Sequence, residues 1–296
     1  TRCLSSEKRA RGREKAIIVD ELRQRYDLND LLKLSGLARS TFYYYLKHSQ
    51  TDKYEKEKQE IQEIFTANKG RYGYRRVLSV LRNKGITINH KTVLKLMNEL
   101  GLKGKQSKNG KYHSYKGEIG KVADNLLHRD FYADKPFEKL TTDITEFKVG
   151  DEKVYLSPVL DMFNREIVSY SISTSPNLQQ IRDMLSRLFE KLPADARPLF
   201  HSDQGWQYQH AEYQRLLAEH NIIQSMSRKG NCMDNGTMEN FFGRLKVEMF
   251  YGENFDSVED FIAKLHSYIY YYNNERISLK LKGMSPVQYR THSQSI

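Results

Sequence analysis

Cysteine is scarce in this sequence, with 2 among 296 residues. Cys3 and Cys232 lie far apart, so they offer neither a disulfide framework nor the paired CxxC ligands of a structural zinc site. We therefore expect a chain that works in a reducing compartment and without structural zinc.

Long apolar runs are also absent. No stretch of about eighteen consecutive apolar residues occurs, and the charged start (EKRARGREK) lacks the short apolar segment of a secretory signal. These two absences argue against membrane insertion and against secretion. We expect a cytoplasmic protein.

The composition is that of a folded chain, with 39% hydrophobic and 11% aromatic residues, and the length allows two or three domains. Positive charge is concentrated in the first half. Residues 1–135 contain 30 Lys and Arg against 16 Asp and Glu, whereas residues 136–296 contain 18 against 21. The basic half is suited to attract phosphates, although charge alone leaves open that its helices are merely solvated.

The basic half begins with a helix-turn-helix pattern. Apolar spacing predicts helices over residues 16–26, 28–36 and 39–47. Gly36 suits the tight turn between the second and third helices, and Arg39 starts the helix that would enter the major groove of DNA.

A second helical unit follows from Glu55 to Leu102, with Asn89 as the predicted cap of its last helix. Its basic side chains stand beside tyrosines in RYGYRR and on one face of the last helix, a composition suited to phosphate contact. The predicted DNA-contacting residues of this unit are Arg71, Arg75, Arg76, Lys91 and Lys95.

The second half predicts an α/β domain. Three successive strands come first (139–147, 154–161 and 166–173), and a helix, a strand, a helix, a strand and a helix follow. The complete expectation is a multidomain chain of all-α helix-turn-helix units followed by an α/β core. Its predicted segments are a helix-turn-helix unit (1–50), a second helix-turn-helix-like domain (51–103), a basic linker (104–135), the core (136–252) and a C-terminal helical extension (253–296).

Three acidic residues stand out in the predicted core. Asp143 lies in an apolar strand (LTTDITEF), Asp203 ends a strand (LFHSDQGWQY), and Glu239 lies on an amphipathic helix, with 35 residues between Asp203 and Glu239. A buried carboxylate without a partner is costly, so Asp143 points to function. Taken singly, Asp203 could form a turn and Glu239 could be a surface acid. Together the three predict a site for two Mg²⁺ ions that acts on phosphodiesters.

These segments resemble the catalytic core of DDE transposases and retroviral-type integrases. HSDQG, DNGTMENFF, YYNNER and SPVQYR are similar to the wording of bacterial insertion-sequence-three family transposases, over residues 16 to the C-terminus. The resemblance implies a ribonuclease H-like fold in which the first and fourth strands are neighbours. It implies Asp143, Asp203 and Glu239 as catalytic ligands of two Mg²⁺ or Mn²⁺ ions, with strand cleavage at element ends, strand transfer and copy-out through a circular intermediate.

Lys246 follows Glu239 by seven residues, so on a helix both side chains point the same way. The resemblance implies that Lys246 holds DNA phosphate near the metals. Three further expectations concern residues outside this set: Asp161 is a structural partner of Arg165, His201 shapes the site, and Arg276 contacts DNA.

The expected partners are double-stranded DNA, both element terminal repeats and target DNA, and further copies of the same chain on that DNA. The chain begins with Thr1, and the resemblance implies a second-reading-frame product that can join a first-reading-frame product. Two rival functions remain at this point. One is a DNA-binding regulator with a silent core, and the other is a ribonuclease H-like nuclease acting on RNA–DNA hybrids.

Overall fold

The computed structural model describes residues 2–49, 53–105, 122–228 and 232–294. The chain separates into two compact units, residues 1–64 and 65–296. Each unit is described by itself below.

The first unit contains three helices and most of a fourth, which are α1 (Arg2–Leu22), α2 (Leu28–Ser35), α3 (Arg39–Ser49) and α4 (Glu55–Ala67). The core of α1 to α3 is formed by Ala16, Val19, Leu31, Leu32 and Phe42. The first helix begins earlier than the apolar spacing predicts, whereas α2 and α3 lie where it predicts them.

The turn between α2 and α3 depends on Gly36. Its φ of 67° is left-handed, and its N–H donates to the carbonyl oxygens of Leu32 and Lys33, which closes the end of α2. At the other end of α2, the Asp27 side chain accepts a hydrogen bond from the N–H of Asn29 at 2.8 Å. Local chemistry therefore fixes both ends of this short helix.

The second unit begins with two further helices, α5 (Tyr74–Asn83) and α6 (His90–Glu99). Asn89 caps α6 as predicted, because its side chain accepts from the N–H of Lys91 at 2.9 Å. The inward faces of the two helices are fully apolar, with Val77, Leu78, Leu81, Val93, Leu96 and Met97 buried.

A six-stranded mixed sheet forms the centre of the second unit. Its strands are β1 (Lys139–Thr142), β2 (Thr145–Val149), β3 (Glu152–Asp161), β4 (Ile167–Ser173), β5 (Leu199–Ser202) and β6 (Ile223–Met226). The strands β1 and β2 both pair with one edge of β3, β4 pairs with the other edge, and β5 lies between β1 and β6. The expected contact between the first strand and the fourth predicted strand is the parallel pair β1 and β5.

One strand prediction was wrong. The predicted strand over 139–147 is divided into β1 and β2, with the break at Asp143 and Ile144. The carboxylate of Asp143 accepts a hydrogen bond from the N–H of Ile144 at 2.7 Å, so a side chain competes here with the sheet for a backbone donor.

Helices cover both faces of the sheet. After β4 the chain forms α7 (Leu178–Phe189), α8 (Trp206–Gln209), α9 (Ala211–Glu219), a 3₁₀ turn (Cys232–Asn235), α10 (Gly236–Leu245), a π-helical segment (Lys246–Phe250), α11 (Val258–Asn274), a 3₁₀ turn (Leu279–Leu281) and α12 (Pro286–Gln294). Leu140 and Phe200 of the sheet pack with α7 and α9 on one face, whereas Thr141 contacts Asn235 on the other. The resulting order of elements confirms the predicted ribonuclease H-like core.

Part of the predicted linker is packed on this core. Residues 106–121 lie outside the described residues, but Leu127 and Ala133 are buried against Met162. The N–H of Leu126 also donates to Ser225 at 3.0 Å. The end of the predicted linker therefore belongs structurally to the second unit.

Candidate active site

The acidic residues Asp143 and Asp203 lie at the same edge of the sheet. In the parallel pair β1 and β5, Thr141 is opposite His201, and each acid follows two residues further along its strand. Neighbouring strands are about 4.8 Å apart, so the two carboxylates start from adjacent points of the backbone. Parallel pairing thus brings together two residues that are far apart in sequence.

A tight turn holds Asp203 in place. Its Oδ1 accepts from the N–H of Gly205 at 2.9 Å, which is an Asx-type turn immediately after β5. A Cβ added at Gly205 would meet Gln207 Nε2 at 2.6 Å and Asp203 Oδ1 at 3.0 Å. Glycine thus leaves room for the side-chain ends of Gln207 and Asp203 beside this turn.

Asn235 ties the third acid to the same edge. Its Oδ1 accepts from Thr141 Oγ1 at 2.6 Å and its Nδ2 donates to the carbonyl oxygen of Thr142 at 3.1 Å. Asn235 directly precedes α10, and Glu239 lies in the first turn of that helix. The start of α10 is therefore bound to the end of β1, beside Asp143.

Apolar packing sets the rotation of α10. The side chains that face the protein interior are Met238, Phe241, Phe242 and Leu245. With this face buried, Glu239 lies at its border and remains partly exposed.

The three acids interact electrostatically. Burial holds the pKa of Asp143 well above its usual range, and the negative charges of Asp203 and Glu239 raise it further. Burial also raises the pKa of Asp203 and of Glu239. A concentration of negative charge around a buried carboxylate is the environment that a bound cation would neutralise.

The charge of Lys246 acts on this cluster, because it lowers the pKa of Asp143. It begins the π-helical segment after α10, and its Nζ lies 5.5 Å from the centre of the Phe147 ring. Burial lowers the pKa of Lys246, while Asp143 and Glu146 raise it. The seven-residue spacing from Glu239 therefore places a lysine beside the acids even though the helix changes its hydrogen-bonding pattern there.

The donor set fits a hard divalent cation, since carboxylate oxygens are the ligands that Mg²⁺ and Mn²⁺ prefer. Within the described ranges, no three His, Cys, Asp or Glu side chains are arranged to ligate a single ion directly. Mutual repulsion favours separation of the carboxylates when no cation lies between them, and Glu239 is the most exposed of the three.

Four of the predicted DNA-contacting residues are exposed on helices. Arg39 donates a hydrogen bond to the side chain of Asn29 at 3.2 Å, and Arg75 donates one to the neighbouring Tyr74 hydroxyl at 3.1 Å. The side chains of Lys91 and Lys95 are also exposed, and Lys95 lies 3.5 Å from Glu99.

The arginines Arg71 and Arg76, which are also predicted to contact DNA, both interact with Glu248. Arg71 Nε donates to the carbonyl oxygen of Glu248 at 3.2 Å and stacks 4.4 Å above the Tyr271 ring, and Arg76 lies 3.3 Å from the Glu248 carboxylate. These two arginines connect parts of the second unit, and their contact with DNA stays a prediction.

The expectation that Arg276 contacts DNA was wrong. Its side chain is 2% exposed and donates to both carboxylate oxygens of Glu248, at 2.8 and 2.7 Å. Tyr268 donates to the same carboxylate at 3.0 Å. Sequence reasoning missed Glu248, because a lone glutamate after an amphipathic helix gives no signal of partners that come from distant segments.

Two other structural expectations have definite outcomes. Asp161 is a partner of Arg165 through the backbone, because the N–H of Arg165 donates to the carbonyl oxygen of Asp161 at 2.9 Å. Their side chains have other partners: the Asp161 carboxylate accepts from the N–H groups of Phe137 and Phe163, and the Arg165 guanidinium donates to Thr237 at 2.7 Å. His201 is buried between Ser225 and Ser227, and burial lowers its pKa to about 4. It supports the end of β5 as a neutral ring.

In the part of the chain that the structure describes, no helix is both long and apolar enough to cross a membrane.

Comparisons with known proteins identify the domains. The profile of the integrase core domain family matches residues 133–232, a second integrase core domain profile matches residues 239–293, and the HTH-like domain profile matches residues 52–110.

Curated relatives match almost from end to end. The putative transposase InsK for insertion sequence element IS150 of Escherichia coli (strain K12) is 50% identical over 277 residues, which is 93% of this chain and 98% of the relative. The transposase InsF for insertion sequence IS3A of the same organism is 32% identical over 281 residues, with 93% and 98% of the two chains covered.

A solved structure of the HTLV-2 integrase catalytic core domain in complex with magnesium aligns at 15% identity with a TM-score of 0.39. The alignment covers 53% of this chain and 98% of that one. A likeness at this level supports no inference about this chain.

Proposed function

The chain belongs to the bacterial insertion-sequence-three family and is a DNA transposase with an integrase core, and from this premise we propose that Asp143, Asp203 and Glu239 are its catalytic, metal-binding residues. The reaction class is polynucleotidyl transfer, which means cleavage of a phosphodiester and its re-formation with another strand. The proposed sequence of events is cleavage at the ends of the element, followed by attack of the freed 3′-hydroxyl on a second phosphodiester.

The observation that carries this proposal is the convergence of the three acids at one edge of the sheet. Asp143 and Asp203 follow paired strands at the same level, and Asn235 fixes the start of the helix that bears Glu239 to the end of β1. A purely structural explanation does not account for two acidic residues whose charges raise the pKa of a third, buried carboxylate.

Two Mg²⁺ or Mn²⁺ ions, held by Asp143, Asp203 and Glu239, would activate the attacking water or 3′-hydroxyl and stabilise the leaving 3′-oxygen. The protein itself contributes positioning. The turn at Gly205 and the anchor at Asn235 orient two of the three carboxylate-bearing segments before substrate arrives.

Lys246 is proposed to bind a phosphate of the DNA next to the reacting one. Its charge already acts on Asp143, and its ammonium group is held over the Phe147 ring. A cation at this place offsets the repulsion between a polyanionic substrate and the acidic cluster.

DNA is the partner that the helix-turn-helix and integrase domains imply. We assign contact with the terminal repeats and target to the exposed side chains Arg39, Arg75, Lys91 and Lys95. Arg71 and Arg76 remain predicted DNA contacts that also connect parts of the second unit. The proposed place of action is the cytoplasm, on DNA, as an oligomer of this chain and with a first-reading-frame product as a possible partner.

The decisive experiment is a cleavage assay. The purified chain is incubated with Mg²⁺ and a labelled duplex that carries the terminal repeats of its own element, and wild type is compared with Glu239→Gln. Glu219→Gln is the matched control, because Glu219 is an exposed helical glutamate of α9 that pairs with Arg215.

Cleavage that leaves a 3′-hydroxyl, is lost in Glu239→Gln and is kept in Glu219→Gln would support the proposed site. Binding of the duplex without cleavage, even after addition of the first-reading-frame product, would overturn the catalytic proposal and leave a DNA-binding regulator.

A further inference from the structure

A groove runs along the flank of α10 away from Lys246. Its cavity volume is about 580 Å³, and Glu239 lies at its border with the acidic cluster. The floor is the outward side of α10, and Arg76 and Lys105 contribute to its walls. The groove is therefore continuous with the proposed active site.

The positive charges of the groove are not equivalent. Arg76 is paired with Glu248, and Lys105 is paired with Glu253 at 2.6 Å. Arg244, on α10, is exposed and makes no ion pair within residues 53–105, 122–228 and 232–294. Partial burial and the charges of Arg276 and Arg76 lower its pKa, whereas Tyr272 and Glu248 raise it. The groove therefore offers one cation, Arg244, to an anionic ligand, beside the carboxylates of Glu239 and Glu248.

A glycine stands at the same place in the helix. Gly243 lies in the interior of α10, where glycine is less favourable than every residue except proline. A Cβ added there would meet nothing within 4 Å, so packing inside this chain does not explain it. Gly243 comes four residues after Glu239, which puts it one turn further along on the same side of the helix.

We propose that this groove holds the sugar-phosphate backbone of the DNA strand that leads into the active site. Arg244 contacts a phosphate, and Gly243 leaves the helix backbone bare where the strand comes closest. The charge of Arg244 favours a polyanion, and the position of the groove beside Glu239 and Lys105 gives the strand a path away from the acids. The proposal rests on the proposed function, since it presumes DNA as the substrate.

The first test is the salt dependence of DNA binding, measured on the full chain in EDTA so that no cleavage occurs. Arg244→Gln removes one phosphate contact, which should weaken binding about tenfold and reduce the slope of log K against log salt by about 0.9. Arg215→Gln is the charge-matched control, because Arg215 is an exposed helical arginine outside the groove. It should leave the slope unchanged.

The second test uses Gly243→Ala. Alanine favours the helix, so the thermal midpoint should rise, while the added methyl group should reduce cleavage and DNA affinity by about fivefold or more. Ser186→Ala, at an exposed position inside α7, is the control for a gain in helix propensity alone. If Gly243 had no role in DNA binding, Gly243→Ala would raise stability without reducing cleavage or DNA affinity.

The outcomes separate this inference from the proposed function. If wild type cleaves DNA but Arg244→Gln keeps the wild-type slope and Gly243→Ala cleaves normally, the groove does not hold DNA and the transposase reaction stands. If wild type does not cleave but the slope falls only in Arg244→Gln, the groove assignment stands and the catalytic proposal fails. A wild-type chain that does not bind DNA at all would overturn the groove assignment.

Discussion

Glu248 and Arg276 form a doubly hydrogen-bonded ion pair inside the second unit, at 2.8 and 2.7 Å. Burial alone would raise the pKa of Glu248, but the hydrogen bonds and charge of Arg276 keep it below its usual value. The pair joins the segment after α10 to the loop after α11, and Arg76 extends it to α5. One carboxylate therefore connects three distant parts of the chain.

Replacement of Glu248 by glutamine should strongly destabilise the second unit. The variant leaves Arg276 buried without a counter-charge, and the loss of one partner of a buried pair costs about 3–5 kcal/mol. The free energy of unfolding in urea measures the effect. Glu212→Gln is the control, because Glu212 pairs with Arg182 at the surface, where water screens the pair, so the loss of stability should be much smaller. Equal losses in both variants would contradict the structural role of Glu248.

Asp161 should make the protein less stable as the pH rises from about 4 to about 6. Burial raises its pKa from 3.8 to about 6, against the opposing effect of two backbone donors. The unfolded chain loses this proton first, so the stabilisation is complete below pH 3.8 and is lost as the pH reaches about 6, at a cost of about 3 kcal/mol.

The comparison of wild type with Asp161→Asn across this pH range checks the sign. Asparagine does not titrate, so the difference between the two free energies of unfolding should change steadily between pH 4 and pH 6. A constant difference would show that Asp161 does not have a raised pKa.

Metal addition should stabilise wild type but not Asp143→Asn. A ligand bound only by the folded state at about 100 times its Kd adds about 2.7 kcal/mol, which thermal unfolding with and without Mg²⁺ can detect. Without metal, Asp143→Asn should be more stable than wild type by about 1 kcal/mol, because it removes a buried charge that Asp203 and Glu239 repel. A variant that still responds to Mg²⁺ would remove Asp143 from the ligand set.

Gly36→Ala should destabilise the first unit by about 1–2 kcal/mol, because its φ of 67° is unfavourable for a residue with a Cβ. Gly36→Asn should lose less, since asparagine tolerates this conformation. Hydrogen exchange of the amides in α2 and α3 reports the opening of this unit. A loss for asparagine as large as that for alanine would point to crowding, although nothing lies within 4 Å of the place that an added Cβ would occupy.

The sequence predicted the core well because local signals and distant ones agree there. The periodicity of the strands and helices indicated the order of elements, and Asp143, Asp203 and Glu239 fall at ends of elements that the fold brings together. Their catalytic role is still a prediction. The structure adds two facts: the register of β1 and β5, which places Asp143 and Asp203 at equivalent positions, and the hydrogen bond of Asn235 to the end of β1.

Two features could not be predicted, each for a physical reason. The break between β1 and β2 lies inside one segment of strand-forming residues, and it is marked by the hydrogen bond from the N–H of Ile144 to the neighbouring Asp143 carboxylate. The partners of Glu248 come from segments up to 177 residues away, so no local pattern distinguishes this glutamate from a solvated one.

Asn235 anchors the start of α10, and Glu248 anchors the segment that directly follows it. These anchors affect how fast the site can adjust to its substrate as well as where the helix lies. A helix that is anchored at both ends does not shift along its own axis. We therefore expect the fit between this helix and its substrate to be adjusted by rotation of the Glu239 and Lys246 side chains. Such rotations take picoseconds to nanoseconds, whereas shifts of whole helices take microseconds or longer.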